Sequence, residues 1–193
     1  VVTGLDQNTR YYVQIFEYNG AEGAANFLLT NAPAANQHTW LRLQLKTWLE
    51  GPYHASSGKM LTNLTGIIPT EHPYAAAPWN FTEYMQLQEV PNAQLVDWVL
   101  VEIRMAATAA NAGSSTIKGR ALAFLNDEGE LVDTAGNLGV VIPTDSNGQF
   151  FAAIYHRTHI PVMTAGMPTA PVNQDTGSFN YDFTDAQTKA YGT

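Results

Sequence analysis

Two short stretches hold the residues best suited to chemistry. "VDWVLVEIR", Val96 to Arg104, carries Asp97 and ends an apolar run in Glu102 and Arg104, while "YHRTHIPVM", Tyr155 to Met163, places His156, Arg157 and His159 together. The two histidines could bind zinc with a carboxylate from Asp97, Glu102 or Glu71, but zinc needs three or four converging ligands. At a spacing of three on a strand, His156 and His159 point to opposite faces unless the chain turns between them. Asp97 and Glu102 could act as a pair of hydrolytic acids only at a working separation, which sequence does not fix. The expectation is structural: Glu102, Arg104, His156, Arg157 and His159 form a polar cluster in which Glu102 pairs with Arg157 across the sheet and fixes register. A carboxylate between two guanidiniums has no nucleophile or base beside it, so no residue is assigned a catalytic role.

Other motifs narrow the classes further. No Gly-x-Ser-x-Gly elbow, phosphate loop or His-Glu-x-x-His occurs, so an enzyme is not the expectation and a glycoside hydrolase is the distant third reading. "NDEGELVD", Asn126 to Asp133, has neither the ligand spacing nor the terminal bidentate Glu of a calcium loop and reads as a hairpin turn. No metal or cofactor is assigned; calcium has no motif to hold it. Aromatic side chains among polar residues suggest a second kind of site. Trp48, Tyr53, Trp79 and Tyr84 are candidate ligand-binding residues, since aromatic faces rimmed by Asn and Gln suit sugar stacking. The competing role for them is to anchor a proline-rich loop against the core.

The elements that must position these residues are strands. The 193 residues are 45% hydrophobic and 11% aromatic but only 13% charged, the profile of a folded all-β protein whose polar surface comes from Asn, Gln, Thr and Ser. A net charge of −8 with 9 Lys plus Arg gives no basic footprint, which argues against a nucleic-acid partner. Cysteine is absent, so disulfides and thiolate metal sites are excluded together. No apolar run approaches the ~20 residues of a membrane span, and no signal peptide is read.

Along the chain, Tyr11, Val13 and Ile15 alternate with Tyr12, Gln14 and Phe16, predicting a strand. The turn "YNGAEGAAN" leads to a short return strand over Phe27 to Thr30. "NAPAANQHT" reads as a linker, placing a partial first unit at 1–33, the linker at 34–39 and the main module at 40–193. From Trp40, Leu41, Leu43, Leu45 and Leu49 line one face, with Arg42, Gln44, Lys46 and Glu50 on the other and Trp40 and Trp48 on the polar side. Pro52, Pro69, Pro73, Pro78 and Pro91 then exclude long helices and favour an ordered, aromatic-anchored loop. Val96 to Met105 is predicted as the central strand, with Val99, Val101 and Ile103 on one face and Trp98, Leu100, Glu102 and Arg104 on the other. Further strands are expected in the stretch from Ile117, at Glu130 to Asp133, Gly139 to Ile142, Phe150 to Arg157, Ile160 to Thr164 and Ser178 to Phe183. The fold class is therefore all-β, an immunoglobulin-like or jelly-roll-type β-sandwich.

Leu5, Thr9, Tyr11 and Val13 resemble the L-x-x-x-T-x-Y-x-V pattern near the end of a fibronectin type III domain. That resemblance implies a partial fibronectin-like hairpin ahead of the sandwich, with the tyrosine at the entry to strand F and the earlier strands of the domain missing. With a start lacking Met, it leads to the expectation of a processed or truncated piece. "LEGPY", "VDWVLVEIR", "YHRTHIPVMTAG" and "YDFT", in that order, resemble an uncharacterised module of large secreted or cell-surface proteins of Bacteroidota and similar bacteria. Thr158 stands where that module more often has Asn, and Ile160 where it has Leu. The resemblance implies an extracellular or cell-surface location and no established reaction. "DTA" at Asp133 to Ala135 resembles the short O-glycan acceptor signal of such proteins, making Thr134 a glycosylation candidate.

The expectation for function is thus an extracellular structural or adhesive protein, a filament subunit assembled by β-strand contacts between copies. Its expected partners are itself or other cell-surface modules. The alternative is a carbohydrate-binding module with a glycan as ligand.

Overall fold

A computed structural model describes residues 10–20, 26–27, 30–38, 41–143, 149–166 and 178–192. Among these residues fourteen strands follow in chain order: β1 (Arg10–Gln14), β2 (Tyr18–Asn19), β3 (Asn26–Phe27), β4 (Ala34–His38), β5 (Leu41–Lys46), β6 (Tyr53–His54), β7 (Lys59–Met60), β8 (Leu95–Met105), β9 (Ile117–Asn126), β10 (Leu131–Val132), β11 (Val140–Ile142), β12 (Phe150–Tyr155), β13 (Val162–Met163) and β14 (Ser178–Asp182). The only helical pieces among the described residues are single 3₁₀ turns, and the fold is all-β.

Two sheets make the sandwich: a five-stranded one in the order β10-β9-β8-β12-β13 and a three-stranded one in the order β11-β5-β14. Their facing side chains form one core, in which Leu43 and Leu45 of β5 meet Val99, Val101 and Ile103 of β8, Phe150 of β12 and Phe179 of β14. The alternation in the β5 sequence thus faces inward as its period requires, with Leu43, Leu45 and Leu49 buried. Trp48 is partly buried against the same core, and Trp40 lies outside the described residues. The sheets are stitched at Gly129, whose carbonyl accepts from Thr47 N at 2.8 Å. Gly129 has φ +79, and a Cβ there would stand 2.6 Å from the Thr47 carbonyl, so the joint needs glycine twice over.

β8 is buried on both faces, as its near-continuous apolar sequence predicts. Its second face carries Trp98 and Leu100, which with Phe124 of β9 are covered by the proline-rich stretch through Ile68, Tyr74 and Phe81. That stretch is held by polar anchors rather than by strands. The Trp98 indole donates to Pro69 O at 2.7 Å, and the fully buried Tyr74 hydroxyl lies 2.8 Å from Trp98 O and 3.1 Å from Tyr155 O.

The first unit differs from expectation. β1 pairs with β4 over Arg10↔His38 to Gln14↔Ala34, so the segment 34–38, expected as linker, is a strand and is the main partner of β1. "AANQH" has no apolar alternation to reveal it; its strand state comes from pairing alone. Of the expected return strand, Phe27 lies in β3, which pairs with β2 near the turn, and Leu28 and Leu29 lie outside the described residues, as do Leu5 and Thr9. The β1–β4 ribbon and the β2–β3 pair leave Tyr12 71%, Ile15 65% and Tyr18 66% exposed.

Candidate functional site

β8 begins with an irregularity: the register against β9 jumps between Leu95 and Asp97, leaving Val96 as an extra residue. The shift places Val96 in the sandwich core while Leu95 and Trp98 face the proline-rich stretch. A bulge re-aims the side chain beside it, and here Asp97 is brought to the end of the neighbouring β12. Where β12 ends at Tyr155, the chain turns through His156, Arg157, Thr158 and His159.

That turn folds both histidines onto one side. His156 Nε2 is 3.1 Å from Asp97 Oδ2, and His156 Nδ1 is 2.9 Å from His159 Nδ1. Arg157 reaches the same Asp97 oxygen with Nε at 2.9 Å and Nη2 at 2.8 Å. Asp97 Oδ1 accepts from Trp98 N at 2.8 Å. Thr158 closes the turn, its amide and hydroxyl lying 3.3 and 3.2 Å from His156 Nδ1. Burial would raise the Asp97 carboxyl, but the His156 N–H, the Trp98 amide and the Arg157 guanidinium outweigh it and hold the group below its usual range. His159 is pushed down, first by burial and then by the neighbouring His156, against the pull of Glu50 and Asp97. The Asp97 carboxylate can only accept, so His156 Nε2 carries the proton toward it, and His156 Nδ1, which accepts from the Thr158 amide, is the acceptor for His159 Nδ1–H. His159 Nε2 is then a bare acceptor.

This acceptor overlooks a depression of about 490 Å³ lined by Leu49, Pro52, Leu61, Leu64 and Val96, with Asp97, the two histidines and Arg157 at one end. Leu61 and Leu64 are exposed along it. Gly51 sits at its edge, where a Cβ would be 3.7 Å from His159 Nε2.

The expected Glu102–Arg157 pair is not formed. Antiparallel register sets Tyr155 opposite Leu100 and Ala153 opposite Glu102, so Arg157 runs on past Leu100 toward the start of β8 and meets Asp97. Glu102 instead binds Arg104, Oε2 to Nη2 at 2.7 Å, and lies 2.9 Å from Arg120 Nε, an ion pair whose N–H is not aimed at the oxygen. Arg104 also donates to Ala112 O at 2.9 Å and to the Tyr155 hydroxyl, and Arg120 donates to Trp79 O at 3.1 Å. The five residues expected as one cluster are therefore two: a clamp around Glu102 that ties flanking segments to the sheet, and the Asp97 turn.

The four aromatic candidates are likewise divided. Trp48 and Tyr53 pack as a tilted pair, ring centres 5.0 Å apart, beside the sandwich core, whereas Trp79 packs edge-on to Tyr74 at 5.1 Å against the opposite face of the large sheet. Tyr84 is exposed, its hydroxyl on Gln86 Oε1 at 2.5 Å. Thr134 is partly exposed in a turn whose Asp133 carboxylate accepts from the amides of Ala135 and Asn137, so the Asp of "DTA" is engaged in shaping the turn. In the stretch read as a turn, Asn126 Oδ1 accepts from Glu130 N at 2.8 Å, and Asp127 and Glu128 pair with Lys59. Among the described residues no three His, Asp or Glu side chains converge as a metal-binding set.

Sequence reasoning missed Arg120 and Tyr155 as partners in the Glu102 clamp and the leucines of the depression. Arg120 sits directly opposite Glu102 in the register, a pairing that only the hairpin offset fixes. No family model, no curated protein and no solved structure matches this chain.

Proposed function

We propose that this chain is a structural or adhesive module of an extracellular protein, whose β1–β4 ribbon makes strand contacts with a second copy. The observation that carries this is the exposed apolar surface of the ribbon and of the β2–β3 pair joined to it: Tyr12, Val13, Ile15, Tyr18 and Phe27 are all more than half exposed. A two-stranded ribbon by itself is at best marginally stable in water, and a strand edge is a ready template for pairing with another chain. Another strand would satisfy both the edge and the apolar face. Contact between one surface and a different one on the next copy does not close on itself and builds a filament. Removing both ribbon strands, residues 1–39, tests this by light scattering and negative-stain microscopy. The intact chain should assemble and the shortened one remain a monomer; ordered polymers of the shortened chain would overturn the proposal.

A second reading, a carbohydrate-binding module, is favoured by the Trp48–Tyr53 ring pair, whose Tyr53 is 37% exposed. A glycan array on the folded chain tests it, and a blank array would remove it.

A further inference from the structure

The Asp97 turn has more polar machinery than is needed to close a strand connection. One carboxylate orients an imidazole, that imidazole orients a second, and the second presents its far nitrogen to a depression with aliphatic walls. We propose that this depression binds an uncharged, hydroxyl-bearing ligand with one apolar face, the chemistry of a pyranose ring. The proposal rests on the carbohydrate-binding reading for its ligand class and assigns that reading a site.

Charge, shape and hydrogen bonding agree on this class. The Asp97 carboxylate and the Arg157 guanidinium are engaged with each other, so the polar end of the site holds a paired charge rather than an open one for an ionic ligand. The volume of about 490 Å³ falls within the range of small-ligand sites and exceeds one sugar ring. Leu49, Pro52, Leu61 and Leu64 offer C–H surfaces for the ring's apolar face. A ring hydroxyl can donate to His159 Nε2 while accepting from Arg157, whose Nε and Nη2 serve Asp97 and whose Nη1 is the donor for a ligand. A bare acyl chain would cover the leucines but strip water from the polar end without replacing its hydrogen bonds. Asn63 at the rim adds an amide that can both donate and accept.

The charged and titratable groups around His159 are His156, Asp97, Arg157 and Glu50. Protonating His159 converts its outer nitrogen from acceptor to donor and sets a cation beside Arg157. Ligand held through a donated hydroxyl is released by that change.

Methyl glycosides of glucose, galactose, mannose and N-acetylglucosamine are the probes, titrated while the histidine ring resonances are followed by NMR. At least one should shift the His156 and His159 signals saturably at neutral pH and lose affinity as the pH falls through the histidine range. His159→Phe, which keeps a ring but no acceptor, should weaken binding about tenfold or more, the worth of one hydrogen bond. Gly51→Val, which narrows the mouth and leaves the polar cluster intact, should do the same with an unchanged melting temperature. If Tyr53→Ala abolishes glycoside binding while His159→Phe and Gly51→Val retain it, this site is wrong and the carbohydrate reading stands. If no glycoside binds and a glycan array is blank, both fall.

Discussion

Asp97 and Glu102 sit five positions apart on one strand and have become centres of separate ion-pair systems. Each is nearly fully buried and each is compensated by guanidinium, Arg157 for one and Arg104 with Arg120 for the other. Removing one partner of such a pair leaves a charge in the dry interior, which costs far more than the pair contributes net. In a double-mutant cycle, Asp97→Asn and Arg157→Gln should therefore show a coupling of about 1–3 kcal/mol in denaturant melts, whereas Glu102→Gln and Arg157→Gln should add within about 0.5 kcal/mol. Coupling in the second cycle would mean that β12 is out of register with β8. Titration gives an independent check. Both His159 and Asp97 have folded-state values below their unfolded ones, so in each window the unfolded chain binds more protons. Stability present above the ordinary histidine range should fall as pH drops through it, and His159→Gln should flatten that slope. A second loss should follow as pH drops below the ordinary Asp range toward the folded value of Asp97. A melting temperature flat across the histidine range in the parent chain would contradict the His159 environment.

β8 is the element on which both cores depend. Val101 has no exposed surface and faces the sandwich, and Trp98 has none and faces the proline-rich cover. Truncating either to Ala should cost about 2–5 kcal/mol in thermal or denaturant unfolding through the cavity it leaves. Near-parental melting of either variant would mean that its face of β8 is open to water. The proline-rich stretch shows how a segment without regular hydrogen bonding can still be fixed. Its Tyr74 hydroxyl reaches backbone acceptors on the sheet, the carbonyls of Trp98 and Tyr155, and Trp79 packs edge-on against the Tyr74 ring. Burial pushes the Tyr74 hydroxyl well above its ordinary range, which keeps it a hydrogen-bond donor at neutral pH.

At the scale of the whole molecule, the sandwich and the ribbon have opposite surface economies. The strands of the large sheet and β5 hide their large apolar residues between and behind the sheets, while the ribbon shows its own to water. The ribbon accordingly contributes little to sandwich stability, and removing residues 1–39 should change the unfolding free energy of the remainder by less than about 1 kcal/mol. A large loss in that measurement would mean that the ribbon is part of the sandwich's own core.

The sequence by itself determined the all-β class, the order of the main strands and the two-faced burial of β8. These follow from side-chain periodicity of two, from proline punctuation and from a run apolar on both faces, all of which are local. Leu43, Leu45, Val99, Val101 and Trp98 could be placed because each needs only its own neighbours in the chain. What only the tertiary structure decided was partnership. The strand state of 34–38, the exchange of Arg157 for Arg120 beside Glu102, the meeting of His156 with His159 and the division of the four aromatics all depend on register, on one bulge at Val96 and on a turn after Tyr155. Register sums contributions from residues far apart in sequence, and shifting it by one position sends a side chain to the other face of the sheet. The residue types that carry the chemistry were therefore legible, while their partners were not.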